Sequence, residues 1–401
     1  MQRITQKIPR NIVFTSILLA LFVDTKAINL IIATALPFLA GSFMALMYFS
    51  VVIGLVCLGL IIQRRRLMSL SPSHIVICLI CILWYITTSA FVGDPSVPVT
   101  YFGIFTLAAF IIPGIIRISV KTFLFVSMIL PSIGIFFIEQ IFVSEVLETG
   151  FVSMGTCYAL LVPVLANLVY LRFYFLYDKT IVKGMVLLFS AINGFYLVQM
   201  AMFGSRGPIL CVLFLISSFF LLRVDADNQL SIRKGRFVTV GVIVILLSVM
   251  FIPLLQSISN YLARYDITVN VIDKFLRMDA SGDISNGRDA IDSITWNGIW
   301  DAPLVGHGIA QFENNTGIVY PHNFLLQLLY DGGFVLSFII LFPIIRNLKK
   351  KLQRPHINES ICLLFLFFAS VPGALFSGDL WQATTLWLFF GFVLSNKSVY
   401  E

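Results

Sequence analysis

Charge is what this sequence of 401 residues lacks most: only 12% of it is Asp, Glu, Lys or Arg. An ordinary soluble domain carries about 25%. With 59% hydrophobic residues beside that deficit, both a soluble globular enzyme and a disordered chain are excluded. Histidine is scarce as well, at four residues. No G-x-x-x-x-G-K-[ST], H-E-x-x-H or G-x-S-x-G is present, so the common phosphate loop, zinc helix and nucleophile elbow are all missing. The six cysteines lie inside apolar runs. Cys78 and Cys81 form one C-x-x-C with His74 a turn earlier, a pair that reads as packing and not as metal or redox chemistry. Short-period repeats, low-complexity tracts and a cleavable signal pattern are also wanting.

Phe is abundant, at 38 residues, and apolar runs recur along the whole chain. Each is about 20 residues long, enough to cross a hydrocarbon core of about 30 Å. The fold class is therefore all-α integral membrane protein. Runs near 8–23, 42–62, 74–92, 99–116, 122–138, 151–171, 184–203, 208–222, 237–256, 323–345, 360–376 and 380–395 predict twelve transmembrane helices, with 27–40 left re-entrant or interfacial. The net charge of +7 follows topology, because 21 of the 27 basic residues cluster between spans or near the termini, as at Arg64–Arg66, Arg233–Arg236 and Lys349–Lys351. By the positive-inside rule those loops and both termini are cytoplasmic, and the basic balance gives no reason to expect nucleic acid as a partner.

Three segments organise the chain: 1–256 as spans one to nine, 257–321 as one long outer loop with short helices, and 322–401 as the C-terminal spans. In a bacterium that loop is periplasmic. Loops of this length are functional or disordered. Ile291, Ile294, Trp296 and Trp300 at helical spacing favour an ordered element lying on the membrane.

Residues able to carry chemistry gather on the outer face. Gly204-Ser205-Arg206-Gly207-Pro208 stands at a helix start, where free N–H groups and a guanidinium suit an anion such as phosphate. Its other reading is a tight turn whose arginine snorkels to the headgroups. Asn286-Gly287-Arg288-Asp289 opens a helix running toward Trp300, and Arg288 is either a second guanidinium for the same anion or a partner for Asp292 one turn on. Trp296 and Trp300 share a face, either stacking on sugar rings or forming an interfacial belt. Tyr320-Pro321-His322-Asn323 immediately precedes an apolar run. The positive end of that helix lowers the pKa of His322, so a neutral imidazole could take a proton from a hydroxyl; a capping role is the alternative. Asp225-Ala226-Asp227 imitates a metal-binding D-x-D but has no nucleotide-binding domain around it. Gly306-His307-Gly308 reads as a turn.

Two arginines beside one histidine suit a diphosphate leaving group and a hydroxyl acceptor without a metal or other cofactor. The reaction expected is glycosyl transfer from a polyprenyl-diphosphate sugar outside the cytoplasm.

The order Gly-Ser-Arg-Gly at 204–207, Gly287-Arg288, Trp296, Pro303, Gly306-His307-Gly308, Pro321-His322-Asn323 and Gly332-Gly333 resembles the O-antigen ligase and O-antigen polymerase superfamily. Ser377-Gly378-Asp379-Leu380 and Leu386-Trp387 resemble its polymerase side. The resemblance covers roughly 200–390. It implies a GT-C-like, metal-independent, inverting glycosyltransferase of the bacterial inner membrane acting on undecaprenyl-diphosphate-linked glycans. By that resemblance Arg206 and Arg288 hold the diphosphate and His322 assists the acceptor hydroxyl. Ser205 and Asn323 stand beside them as substrate contacts, while Arg264, Arg277 and Trp296 are further glycan or phosphate contacts. The acceptor would be a lipid-linked repeat unit in a polymerase, the reading favoured, or lipid A–core in a ligase. Membrane lipids and a chain-length regulator are the other partners expected. A lipid-linked oligosaccharide transporter is the alternative from a different class, although transporters place ionisable groups near the midplane and by hydropathy the interiors of the later spans carry almost none.

Overall fold

The computed structural model describes residues 8–35, 50–55, 57, 70–137, 153–203, 206–225, 229–282, 287–353, 356–395 and 399. Helices dominate. In chain order they are α1 (Arg10–Val23), α2 (Thr25–Ala35), α3 (Pro72–Phe91), α4 (Val99–Ile115), α5 (Val120–Phe137), α6 (Met154–Phe173), α7 (Thr180–Phe203) and α8 (Arg206–Leu221). After a short antiparallel ribbon of β1 (Leu222–Val224) and β2 (Leu230–Ile232) come α9 (Lys234–Ala263), α10 (Asn270–Ser281) and α11 (Arg288–Asp301). The chain then forms α12 (Phe312–Thr316), α13 (Phe324–Gln353), α14 (Ile357–Phe376) and α15 (Thr384–Leu394).

Six of the described helices are long and apolar enough to cross a membrane, or seven if α1 and α2 form one bent span. Three shorter apolar helices, Val99–Ile115, Gly207–Leu221 and Thr384–Leu394, add to them. This is a multi-pass, all-α membrane protein. Its outward side chains agree: α3 exposes Ile75, Leu79, Leu83 and Ile86, a choice that suits hydrocarbon and not water. Most expected spans meet helices within a few residues, but the run expected at 42–62 lies largely outside the described residues, as do 36–40 of the segment left re-entrant.

The chain divides into two compact units, each with its own core. One comprises 24–44 and 124–287. Its centre is α6, where Cys157, Leu160, Leu161, Leu165, Ala166 and Val169 are buried. Buried amides are satisfied locally: Asn167 donates to Ser190 Oγ at 2.8 Å, and Asn193 donates to the Met128 carbonyl at 3.1 Å. Polar groups far from water need such partners. Gly207 lies so close to α6 that a Cβ there would meet the Tyr158 hydroxyl at 2.3 Å. The D-x-D imitation falls in the β1–β2 connection, where Asp225 pairs with Arg223 at 2.6 Å; Asp227 lies outside the described residues. Helix α9 runs to Ala263 and so absorbs residues from 257 onward that hydropathy assigned to the outer loop.

The other unit comprises 1–23, 45–123 and 288–401. Here α15 packs between α4 and α14, with Trp381 and Trp387 fully enclosed and stacked at 5.8 Å. Lys351 pairs with Glu359 and donates to the Phe392 carbonyl at 3.0 Å, and also to the Ser395 carbonyl, so a cation closes the C-terminal end of α15. His74 spends both ring nitrogens on Ser71 Oγ (2.8 Å) and the Gly391 carbonyl (3.1 Å), with Cys78 and Cys81 free and buried nearby on the same helix.

One break shapes this unit. Helix α13 is interrupted at Gly333 (φ 60°, ψ −167°), although hydropathy predicts a continuous span there. The freed N–H groups of Phe334 and Val335 donate to the carbonyls of Pro303 (2.8 Å) and Leu304 (3.1 Å). In return the carbonyls of Tyr330 and Asp331 accept from His307 N–H (2.9 Å) and Gly308 N–H (2.8 Å). The 303–308 turn therefore satisfies both open ends of the break, which a helix interior cannot leave unpaired.

Candidate functional site

The site is built on two helix starts within one unit. Gly287, at φ +77°, delivers the chain into α11, so Arg288 opens that helix as its sequence predicts. Asp292 follows one turn later on the same side. The second start is α13: Asn323 Oδ1 accepts from the N–H groups of Leu325 (3.0 Å) and Leu326 (3.4 Å), capping it. Immediately before the cap, His322 has φ +58°, a left-handed backbone that histidine and asparagine tolerate better than most residues.

The core beneath ties these starts together. Ile299 of α11, Phe312 of α12 and Tyr330 of α13 form a buried cluster, and Ile291, Ile318, Leu326 and Leu329 pack against it. Asn315 donates to the Tyr330 hydroxyl at 3.2 Å, while the His307 ring stacks on Tyr330 at 4.4 Å.

His322 stands in this corner half-buried, its ring edge-on to Tyr320 with centroids 4.5 Å apart. Its Nδ1 is enclosed and makes no hydrogen bond. Burial, and then the positive charge of Arg288, hold its pKa below the ordinary imidazole value, with Asp292 opposing them. The direction agrees with expectation, but burial and a guanidinium supply the causes where helix polarity had been invoked. Burial and Asp289 raise the Asp292 carboxyl above its usual range, partly offset by Arg288 and His322. The corner can therefore hold a neutral imidazole beside a cation at neutral pH. Among the described residues no cluster of three His, Cys, Asp or Glu is placed to hold a metal ion.

Of the residues singled out in the sequence, Arg288, His322, Asn323 and Trp296 belong to this unit. Trp296 is exposed on α11, edge-on to Trp300 at 6.0 Å, so the two tryptophans do share a face. The other unit holds Arg264, exposed at the end of α9, and Arg277, exposed on α10 with its Nε–H donating to the Asp273 carbonyl at 3.3 Å. It also holds Arg206, the first residue of α8, whose side chain is outside what the structure describes. Pro208 falls in the first turn of α8, and Ser205 lies outside the described residues.

Residues 191–341 match the family model described as O-antigen ligase. This stretch is similar to O-antigen ligases. It spans every site residue named above, from Ser205 to Asn323, and ends within α13 after the Gly333 break. The match supports the O-antigen ligase and polymerase superfamily for this chain and, with it, a function of that type. No curated protein matches the chain.

Within the matched stretch, sequence reasoning passed over Asp331. It lies inside a span expected to carry almost no ionisable group and is completely buried. Asp292 had been weighed only as a partner for Arg288. A signal for Asp331 existed in the adjacent Gly332-Gly333, since paired glycines in an apolar run favour a helix break.

Proposed function

We propose that this protein is a glycosyltransferase that moves an undecaprenyl-diphosphate-linked glycan onto an acceptor sugar hydroxyl at the periplasmic face of the inner membrane. The observation that carries the reading is a half-buried His322 whose pKa is held below the ordinary imidazole value by burial and by the nearby charge of Arg288. The acceptor oxygen attacks the anomeric carbon, the bond from that carbon to the diphosphate breaks, and configuration inverts. The proton leaves the acceptor for His322; with Nδ1 enclosed, Nε2 is the nitrogen available. Charge developing on the departing undecaprenyl diphosphate is met by Arg288, with Arg206 as the second guanidinium, and no metal or other cofactor is required.

In this reading Ser205, Asn323, Arg264, Arg277 and Trp296 contact the glycan or diphosphate. Twelve GT-C-like spans fall in 1–256 (nine) and 322–401, separated by a periplasmic loop at 257–321 with short helices, and both termini are cytoplasmic. Joining of lipid-linked repeat units is favoured, supported by the resemblance of Ser377-Gly378-Asp379-Leu380 to polymerases. The match to the O-antigen ligase family favours a second reading, transfer to lipid A–core. A transport role draws on Asp331, but its Oδ2 is engaged by Trp381 and Ala310 and is not open to a lumen.

The test is the lipopolysaccharide profile of a strain lacking the gene, with lipid-linked glycans assayed alongside. Core bearing a single repeat unit is the expected result. Bare core with long chains on the polyprenyl carrier establishes the ligase instead, and an unchanged profile overturns both. In complementation, His322→Asn preserves the left-handed backbone while removing the imidazole, and it should leave membrane-inserted protein without product. Wild-type glycan from that variant removes His322 from the chemistry.

A further inference from the structure

We infer that Asp331 is a positioning residue for the transfer reaction, seated in the break of α13 and holding the half-helix that places His322; this rests on the functional reading above. The segment from Phe324 to Gly332 has two side chains four residues apart, Gln327 and Asp331, both reaching the turn at 379–381. Gln327 Nε2 donates to Asp379 Oδ1 at 2.8 Å, and its Oε1 accepts from Leu380 N–H at 2.7 Å. Asp331 Oδ2 accepts from Trp381 Nε1–H at 2.5 Å and from Ala310 N–H at 3.1 Å.

Trp381 is itself immobilised: it is fully buried between Phe102 and Trp387, and its carbonyl accepts from Thr106 Oγ1 at 2.6 Å. Ala310 is anchored as well, its carbonyl accepting from Ser96 N–H (3.0 Å) and Ser96 Oγ (2.9 Å), while Ile309 N–H donates to Thr88 Oγ1 at 3.0 Å. One carboxylate oxygen thus adds a shared bond among three segments at the point where α13 has no continuous backbone ladder to hold it. A nine-residue half-helix is about 13 Å long, so slack at the Asp331 end is carried along a stiff lever to His322. Displacement of a reacting group by about 1 Å can cost roughly a hundredfold in rate.

The other carboxylate oxygen, Oδ1, is enclosed without a hydrogen-bond donor. That asymmetry makes Asp331→Asn informative, because the amide oxygen can take both donors and the amide nitrogen can occupy the unpartnered place. Full-length protein would be assayed for transfer in membranes supplying the cell's own lipid-linked glycan. Purified protein in detergent would be assayed for undecaprenyl diphosphate affinity and thermal stability. Asp331→Asn should stay within a few-fold of wild type, and Trp381→Phe should lose about tenfold in rate, as expected for one hydrogen bond. Asp331→Leu should fall about a hundredfold in rate while undecaprenyl diphosphate affinity is retained, the split expected of lost positioning. Trp381→Phe added to Asp331→Leu should cost little more.

A folded Asp331→Leu with wild-type rate overturns the inference. So does parallel loss of rate and affinity, or a folded Asp331→Asn as inactive as Asp331→Leu. If Asp331→Leu does not fold, Trp381→Phe decides: unchanged rate overturns the inference. His322→Asn in the same assay separates the two levels, since full activity there overturns the functional reading whatever Asp331 does.

Discussion

The two halves of α13 are held by different physics. Before Gly333, the half-helix buries Phe324, Gln327, Leu328, Tyr330 and Asp331, and hydrogen bonds to residues 307, 308, 310, 315 and 379–381 fix it. After Gly333, one face packs Leu336, Ile340 and Ile344 inward while Phe334, Phe338, Phe342 and Ile345 face outward, from 43% to 64% exposed. Between the Phe334 and Val335 N–H bonds at the break and the Lys351 contacts at the far end, apolar contact suffices for a segment that has only to sit in a membrane. Directional bonds are found where the first turn must present His322 beside Arg288.

That contrast can be broken most severely at the junction itself. A Cβ at Gly333 would lie 2.4 Å from the Leu304 carbonyl, with the backbone already at φ +60°. Gly333→Val should therefore cost more than about 3 kcal/mol and leave little folded protein in detergent, read by size-exclusion. Gly306, whose Cβ would meet the Asp331 carbonyl at 2.5 Å from the other side, should behave alike as Gly306→Val. Recovery of normal amounts of both variants would show that the interlock is dispensable.

Next in size is the pair Tyr330→Ala and Phe338→Ala. Tyr330 is 3% exposed in a packed cluster, so its truncation should cost about 3–5 kcal/mol by the behaviour of buried aromatics. Phe338 is 64% exposed, so its truncation should cost less than about 1 kcal/mol. Equal shifts in thermal midpoint would erase the distinction between the halves.

The smallest effect is electrostatic. His322 must be neutral to accept a proton, and its pKa lies below the usual imidazole value, so transfer should be lost only as pH falls below that range. Asp292 opposes the lowering. Asp292→Asn should consequently move the acid limb of the rate–pH profile to still lower pH, with the plateau rate retained. A shift to higher pH would reverse the assigned sign.

Much of the fold was legible because membrane helices are written in local windows. Pro72–Phe91, Thr180–Phe203 and Ile357–Phe376 lie close to runs expected from hydropathy. Arg288 at a helix start and His322 at the mouth of a span were legible too, since turn residues and the following apolar periodicity mark such places. Asp331 was not, because one carboxylate among Leu, Phe and Tyr barely changes a window average. The break was hidden for another reason: adjacent glycines permit it, but the 303–308 turn stabilises it, and that docking joins residues about 25 positions apart.

By itself the sequence determined that the chain enters a membrane, where most of its apolar helices run, and which few polar residues stand at their ends. These follow from transfer free energies that add along short stretches. Only the tertiary structure decided that Arg288, Asp292 and His322 share one corner, and that Asp331 closes the break behind it. Pairing of polar groups depends on partners from distant parts of the chain. Burial then sets whether an imidazole beside them carries charge, and no window of neighbouring residues contains that information.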